Sequence, residues 1–164
     1  MKTVTIYVSP LQSDSKVTAK LQKVLAGTYG LYLATHNYHW NVEGANFSSL
    51  HLLFSGQYNE LFQADDVIAE RIRAIGDYAL PFEGENVLQL SKLTSNPLNK
   101  EKEANARAVR MIRNLIDLNV KLVEICQSAK STAVKFSDDE TENLMVERIT
   151  AHQKALWMLN STVK

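Results

Sequence analysis

The chain is poor in everything that interrupts a helix or staples a fold. In 164 residues it has three prolines, six glycines and one cysteine. A single cysteine excludes any disulfide framework within the chain and points to a reducing compartment. Cys126 lies in the apolar stretch Val123-Glu124-Ile125-Cys126, which suits a buried structural thiol. There is no net charge either, because 18 basic residues balance 18 acidic ones. That balance gives no overall attraction to nucleic acid or to an anionic membrane, and it does little to oppose self-association. No apolar run approaches the length of a transmembrane helix. Residues Met1 to Val8 alternate polar and apolar side chains and lack the continuous core of a signal peptide. The expectation is a cytoplasmic protein with no membrane role. What the chain does have is 45% hydrophobic and 22% charged residues, the mixture of an ordinary globular domain rather than a disordered one.

The length suits one domain over residues 1–164, with residues 1–14, including Pro10, as an N-terminal arm. From Lys16 the apolar positions Val17, Leu21, Val24, Leu25 and Leu31 recur at helical spacing, which predicts a first helix over about 15 to 41. Gly44 falls in a short break, and Ser48 or Ser49 can cap a second helix running from about 49 to Gly76. Residues 77 to 99 carry Pro81, Gly84, Asn96 and Pro97; they are expected to be irregular apart from a short helical turn near 86 to 91. A third helix is expected over about 100 to 129. Ser137-Asp138-Asp139-Glu140 has the capping-box pattern and opens a fourth helix that runs to the end. The predicted fold class is all-α: an antiparallel four-helix bundle whose long second connection, with its short extra helix, is a crossover.

Chemistry concentrates in the first half. His39-Trp40 closes the first helix and His51 opens the second, so a short turn brings the two imidazoles together. Asp66 and Glu70 stand four residues apart and share one helix face. Neutral imidazole and carboxylate oxygen form a ligand set for a redox-active divalent metal such as iron(II). A blander reading is also open, in which Asp66 and Glu70 form a solvated face paired with Arg71 and Arg73 and the histidines pack or lie on the surface. Asp65, next door, points elsewhere and is expected to be solvated. His36 is a further candidate ligand, with packing or an outer-shell role favoured, and His152 is expected in the core. If His51 and Asp66 share one helix, fifteen residues separate them by about 22 Å. They cannot then hold one ion within one chain. No Glu-x-x-His occurs anywhere, so the usual single-chain di-iron bundle is not expected. A site split across a two-fold interface is, with residue i meeting j and j meeting i.

The run His36-Asn37-Tyr38-His39-Trp40-Asn41-Val42-Glu43-Gly44-Ala45-Asn46-Phe47-Ser48-Ser49-Leu50-His51 resembles the signature of Dps proteins, the mini-ferritins of starved bacteria. Asp66-Val67-Ile68-Ala69-Glu70-Arg71-Ile72-Arg73-Ala74-Ile75-Gly76 is similar to the family's second block, at the same offset from His51, and His152 to Leu159 is similar to its last-helix pattern. The resemblance implies a ferritin-like bundle assembled as a hollow dodecamer. It implies iron(II) oxidation at inter-subunit sites, usually with hydrogen peroxide, and storage of ferric mineral. By position, His39 and His51 would come from one subunit and Asp66 and Glu70 from its two-fold partner, with zinc as the competing ion. Trp40 matches a tryptophan beside the family's site that intercepts oxidising equivalents; its alternative is a packed aromatic.

One departure bears on activity. Where the family usually has an acid, one turn after the second histidine, this chain has Ser55. A hydroxyl is a weak neutral ligand. Two iron(II) ions bring four positive charges against two negative ones, so one firm metal position is expected at His39, Asp66 and Glu70 and a weaker one at His51. Gly56 beside Ser55 is a poor helix former expected to loosen that turn. The resemblance further implies an iron-entry pore lined by Asp138, Asp139 and Glu142, acids that a helix N-terminus favours in any case. DNA binding, the activity in the family's name, ordinarily uses a basic tail. The first fifteen residues hold only Lys2, so weak or no binding is expected. The competing functions are a cage with an impaired ferroxidase site and a metal-free helical adaptor.

Overall fold

The computed structural model describes residues 15–79 and 101–163. The N-terminal arm and the expected short helix at 86 to 91 lie outside the described residues. Within them the chain forms α1 (Ser15–Asn41), α2 (Phe47–Ala74), α3 (Ala104–Lys135) and α4 (Asp139–Thr162), with no strand. The all-α bundle expected from the apolar periodicity is the observed fold.

The apolar stripes of the four helices close on one another. Val17, Leu21, Val24, Phe54, Ile68, Ile72, Met111, Leu115, Leu122, Met145 and Leu159 are all essentially inaccessible. Cys126 is buried among them, and burial pushes its thiol up to about 11. His152 is a core histidine, as expected. Its Nδ1 donates to Asn119 Oδ1 at 2.9 Å, and burial, with Arg148 adding to it, holds the ring neutral down to about 3.

Two hairpins make the bundle. α1 packs on α2, and α3 packs on α4; α1 and α3 join the pairs, whereas α2 and α4 touch only lightly. The α1–α2 turn is tied to the start of α3, because Ala45 N donates to Asn105 Oδ1 at 2.9 Å. Gly44 sits at φ +102°, and a Cβ there would lie 2.4 Å from that same Asn105 oxygen, so only glycine fits. At the other end of the bundle Arg71 of α2 meets Asp138 at 2.6 Å and Thr141 Oγ1 at 2.9 Å, both at the start of α4. The start of α3 therefore lies at the end of the bundle where α2 starts, opposite the end where α2 stops, as the crossover expected from the long second connection requires.

Two local expectations, both about helix caps, are corrected. Helix α2 begins at Phe47 with Asn46 as its N-cap and no side-chain cap; Ser49 Oγ donates to Asn46 O and so does not cap the helix N–H groups. Ser137 does not cap α4. It takes a left-handed conformation, φ 54°, in the turn that ends α3, where Ser137 N reaches Val134 O at 3.2 Å and Asp138 N reaches Ala133 O at 3.0 Å. That paired pattern is a Schellman motif, and it passes the capping role to Asp138, whose side chain accepts from Thr141 N. Gly56 does not interrupt α2, which is continuous through it. Gly76, by contrast, ends α2 as expected, at φ +93°.

Candidate metal centre

His39 is in the last turn of α1, and His51 is in the second turn of α2. The locked turn between them stacks their rings at 3.7 Å between centroids, 25° apart. Their hydrogen bonds are reciprocal. Nδ1 of His39 lies 2.9 Å from the carbonyl oxygen of His51, and Nδ1 of His51 lies 2.9 Å from that of His39. A carbonyl oxygen only accepts, so both Nδ1 atoms carry the proton. In a neutral ring held this way the lone pair is on Nε2. Fixing one imidazole nitrogen on a backbone carbonyl is the usual way a protein sets tautomer and orientation for a metal at the other.

Asp66 and Glu70 are exposed on α2. The ion pairs that the blander reading required are absent. Arg71 turns to Asp138 and, at 3.8 Å, to Glu140. Arg73 donates to Asp77 O at 3.0 Å and lies over the Tyr78 ring. Since α2 is continuous from Phe47 to Ala74, His51 and Asp66 stand about 22 Å apart along it. Among the described residues, no three histidine, cysteine or acidic side chains of one chain gather as a metal site. One chain thus carries imidazoles at one end of α2 and carboxylates towards the other. Nitrogen and oxygen ligands of these kinds fit iron(II) and zinc.

The surroundings differ from expectation in places. His36 is held between rings, 4.1 Å from Trp40 and 4.2 Å from Tyr58, which agrees with the packing role favoured for it. Trp40 is 64% exposed rather than packed into the core. Tyr58 was not singled out from the sequence, yet it meets His39 edge-on at 5.1 Å. Its position seven residues after His51, two turns along the same face, was the available signal. Asp65 is not solvated: both carboxylate oxygens are buried and lack hydrogen bonds. Burial pushes it up to about 7, against the pull of Arg148 and with a push from Glu60. Arg148 itself forks onto Glu60. Of the acids named for a pore, Asp138 is committed to Arg71 and to capping α4. Glu142 lies 3.7 Å from Lys130 Nζ, and Asp139 is exposed.

A ferritin-like domain model matches residues 18–164, which defines the class of the fold. The chain belongs to the Dps family within that class. It is 30% identical over 148 residues to DNA protection during starvation protein 2 of Bacillus anthracis, covering 90% of this chain and 97% of that one. Its fold matches the crystal structure of Dps from Staphylococcus aureus with a TM-score of 0.80 and 29% identity, covering 93% and 98% of the two chains. It also matches a Vibrio cholerae Dps protein, described as a member of a broad superfamily of ferritin-like diiron-carboxylate proteins, with a TM-score of 0.74, 25% identity and 92% and 90% coverage. Among the described residues, no helix is long and apolar enough to cross a membrane.

Proposed function

We propose that the protein oxidises iron(II) with hydrogen peroxide and stores the ferric product inside a hollow dodecamer, protecting a cell from oxidative stress. The observation that carries this reading is the reciprocal His39–His51 pairing, with Asp66 and Glu70 left unpaired farther along the same helix. Two copies related by a two-fold axis, their α2 helices antiparallel, bring His39 and His51 of one to Asp66 and Glu70 of the other, twice per dimer. Iron is substrate here. His39 Nε2, Asp66 and Glu70 hold the firmer position, Glu70 reaches toward the second, and His51 Nε2 completes it weakly because Ser55 brings no charge. Zinc competes for the same donors. Asp139 and Glu142 remain the acids for an entry pore, and DNA binding at physiological salt is weak or absent.

The test is iron(II) oxidation on anaerobic addition of peroxide, followed by ferric-oxo absorbance. Glu70→Ala is expected to abolish the fast phase, and an unchanged rate would refute the reading. Ser55 favours a second reading, a cage whose ferroxidase site is turned down and which binds iron or zinc passively. Slow native oxidation rescued by Ser55→Asp supports that reading; fast native oxidation means that solvent or oxidant completes the second position. A monomer or dimer by light scattering that purifies without metal favours the helical adaptor.

A further inference from the structure

Helices α2 and α4 touch only lightly, and a cavity of about 390 Å³ lies in the seam between them, lined by residues 52–61 of α2 and 151–158 of α4. That volume is in the range of small-molecule sites. Its floor is buried, with Thr35, Leu61, Asn119 and His152 each 4% exposed or less. The polar groups of the floor are committed to one another or to the backbone. Thr35 Oγ1 donates to Leu31 O, Asn119 Nδ2 to Leu115 O, and His152 Nδ1 to Asn119 Oδ1. The walls are aliphatic, formed by Leu53, Ala151, Ala155 and Met158.

Gly56 stands at the exposed rim. Helix α2 is continuous through it, and a Cβ there would meet nothing within 4 Å. A glycine inside a helix is destabilising relative to alanine, and no close approach or turn requires this one. Its missing side chain keeps the mouth of the cavity clear.

The free polar groups at the cavity are donors. Gln57 lines the wall, and its Nε2 is buried without a hydrogen-bond partner. Lys154 is exposed at the rim and has no carboxylate partner among the described residues. The one acid of the lining, Glu60, is already forked by Arg148, which also reaches His152 Nε2 at 3.5 Å. The unpaired oxygens of Asp65 lie outside the lining. With Glu60 and Arg148 cancelling, Lys154 leaves the cavity one positive charge in excess. A buried donor without an acceptor calls for one, and here the acceptor that matches both the amide and the ammonium is an anion.

We propose that this cavity binds an aliphatic monocarboxylate of medium chain length. The carboxylate accepts from Gln57 Nε2 and Lys154 Nζ, which fixes its orientation, and burial of the chain against the aliphatic walls supplies the driving force. None of His39, His51, Asp66 and Glu70 lines the cavity, so the site goes beyond the iron chemistry and does not depend on it. A bound chain fills the seam where α2 and α4 barely meet, and a ligand of the folded state alone raises its stability by mass action.

The test uses the metal-free full chain and decanoate below its micelle-forming concentration, followed by titration calorimetry and by melting temperature. Decanoate is expected to bind at one site per chain and to raise the melting temperature as its concentration rises. Decanol and decylammonium carry the same chain with no charge and with the opposite charge. Decanol is expected to bind at least about tenfold more weakly, and decylammonium not at all. Gly56→Leu places a good helix former at an exposed position and blocks the mouth, so it is expected to fold and to abolish binding. Gln57→Leu and Lys154→Glu are each expected to weaken decanoate at least about tenfold. Absence of heat and of any rise in melting temperature with the native chain means that the cavity holds water only, and overturns the proposal. Equal binding of decanol or decylammonium overturns the carboxylate site. Undiminished binding in Gly56→Leu places decanoate elsewhere on the chain and overturns the cavity as its site.

Discussion

His39 and His51 position each other, each imidazole donating to the other's carbonyl at 2.9 Å. The acceptors are backbone carbonyls, so removing one ring leaves the other's hydrogen bond in place and takes away only its stacked neighbour at 3.7 Å. His39→Ala and His51→Ala each remove a proposed ligand and are each expected to weaken zinc binding, His39→Ala the more because it belongs to the firmer position. The double variant should depart from the sum of the two single losses, because the stacked rings are in contact. Zinc titration of the three variants measures this; strict additivity would refute the coupling.

The Arg71–Asp138 pair at 2.6 Å is the tie between the end of α2 and the start of α4, with side chains only 14% and 10% exposed. Losing one member leaves a shielded charge without its partner. Arg71→Ala is expected to cost about 3 kcal/mol, whereas Arg107→Ala, whose partner Glu43 is 63% exposed, should cost about 1 kcal/mol or less. Chemical denaturation of the two variants side by side decides it.

Asp65 gives stability a pH dependence of known sign. Its folded pKa is raised to about 7, and an unfolded carboxyl titrates near 3.9. Between these values the folded chain keeps a proton that the unfolded chain has lost, so this residue lowers stability progressively as pH rises from about 4 to about 7. Asp65→Asn removes the liability. Its melting temperature should exceed that of the native protein at pH 8 and match it closely near pH 4. An equal gain at both would show that the carboxylate finds a partner.

His152 works in the opposite direction. Its folded value near 3 lies below the ordinary 6.5. The unfolded ring gains a proton first, and stability is lost as pH falls from about 6.5 toward 3. His152→Gln should flatten that part of the acid-unfolding profile while lowering stability at neutral pH through the lost Asn119 contact.

Gly44→Ala introduces strain twice, from φ +102° and from a Cβ 2.4 Å from Asn105 Oδ1. A cost of about 1–3 kcal/mol is expected. Because this turn sets the spacing of His39 and His51, zinc affinity should fall with it. Gly44→Ala with Asn105→Ala removes the clash alone, so it should recover only part of the stability.

Much of this was legible in the sequence where a period or a spacing carried it. Apolar recurrence gave the four helices, and Gly76 marked the end of α2. The starts and stops were less legible because neighbours compete for the same role. Ser137 and Asp138 both read as caps until the left-handed turn claims the serine. Glu103, whose side chain accepts from Asn105 N and Ala106 N, starts α3 later than periodicity alone suggested. At the site, the positions of His39, His51, Asp66 and Glu70 followed from helix geometry. The burial of Asp65 did not, since nothing local separates it from Asp66. What buries its oxygens is tertiary packing, and the charge that pulls on it, Arg148, comes from a helix more than eighty residues away.

Along α2, Leu52, Phe62 and Val67 are 72%, 63% and 50% exposed. Covering a large apolar side chain yields about 1.5–3 kcal/mol. For an isolated subunit this helix is a source of insolubility; for an associated one it is a reservoir of stability drawn by mass action. The melting temperature should then climb with protein concentration, and dilution should loosen the bundle and disperse its split donor set in the same step.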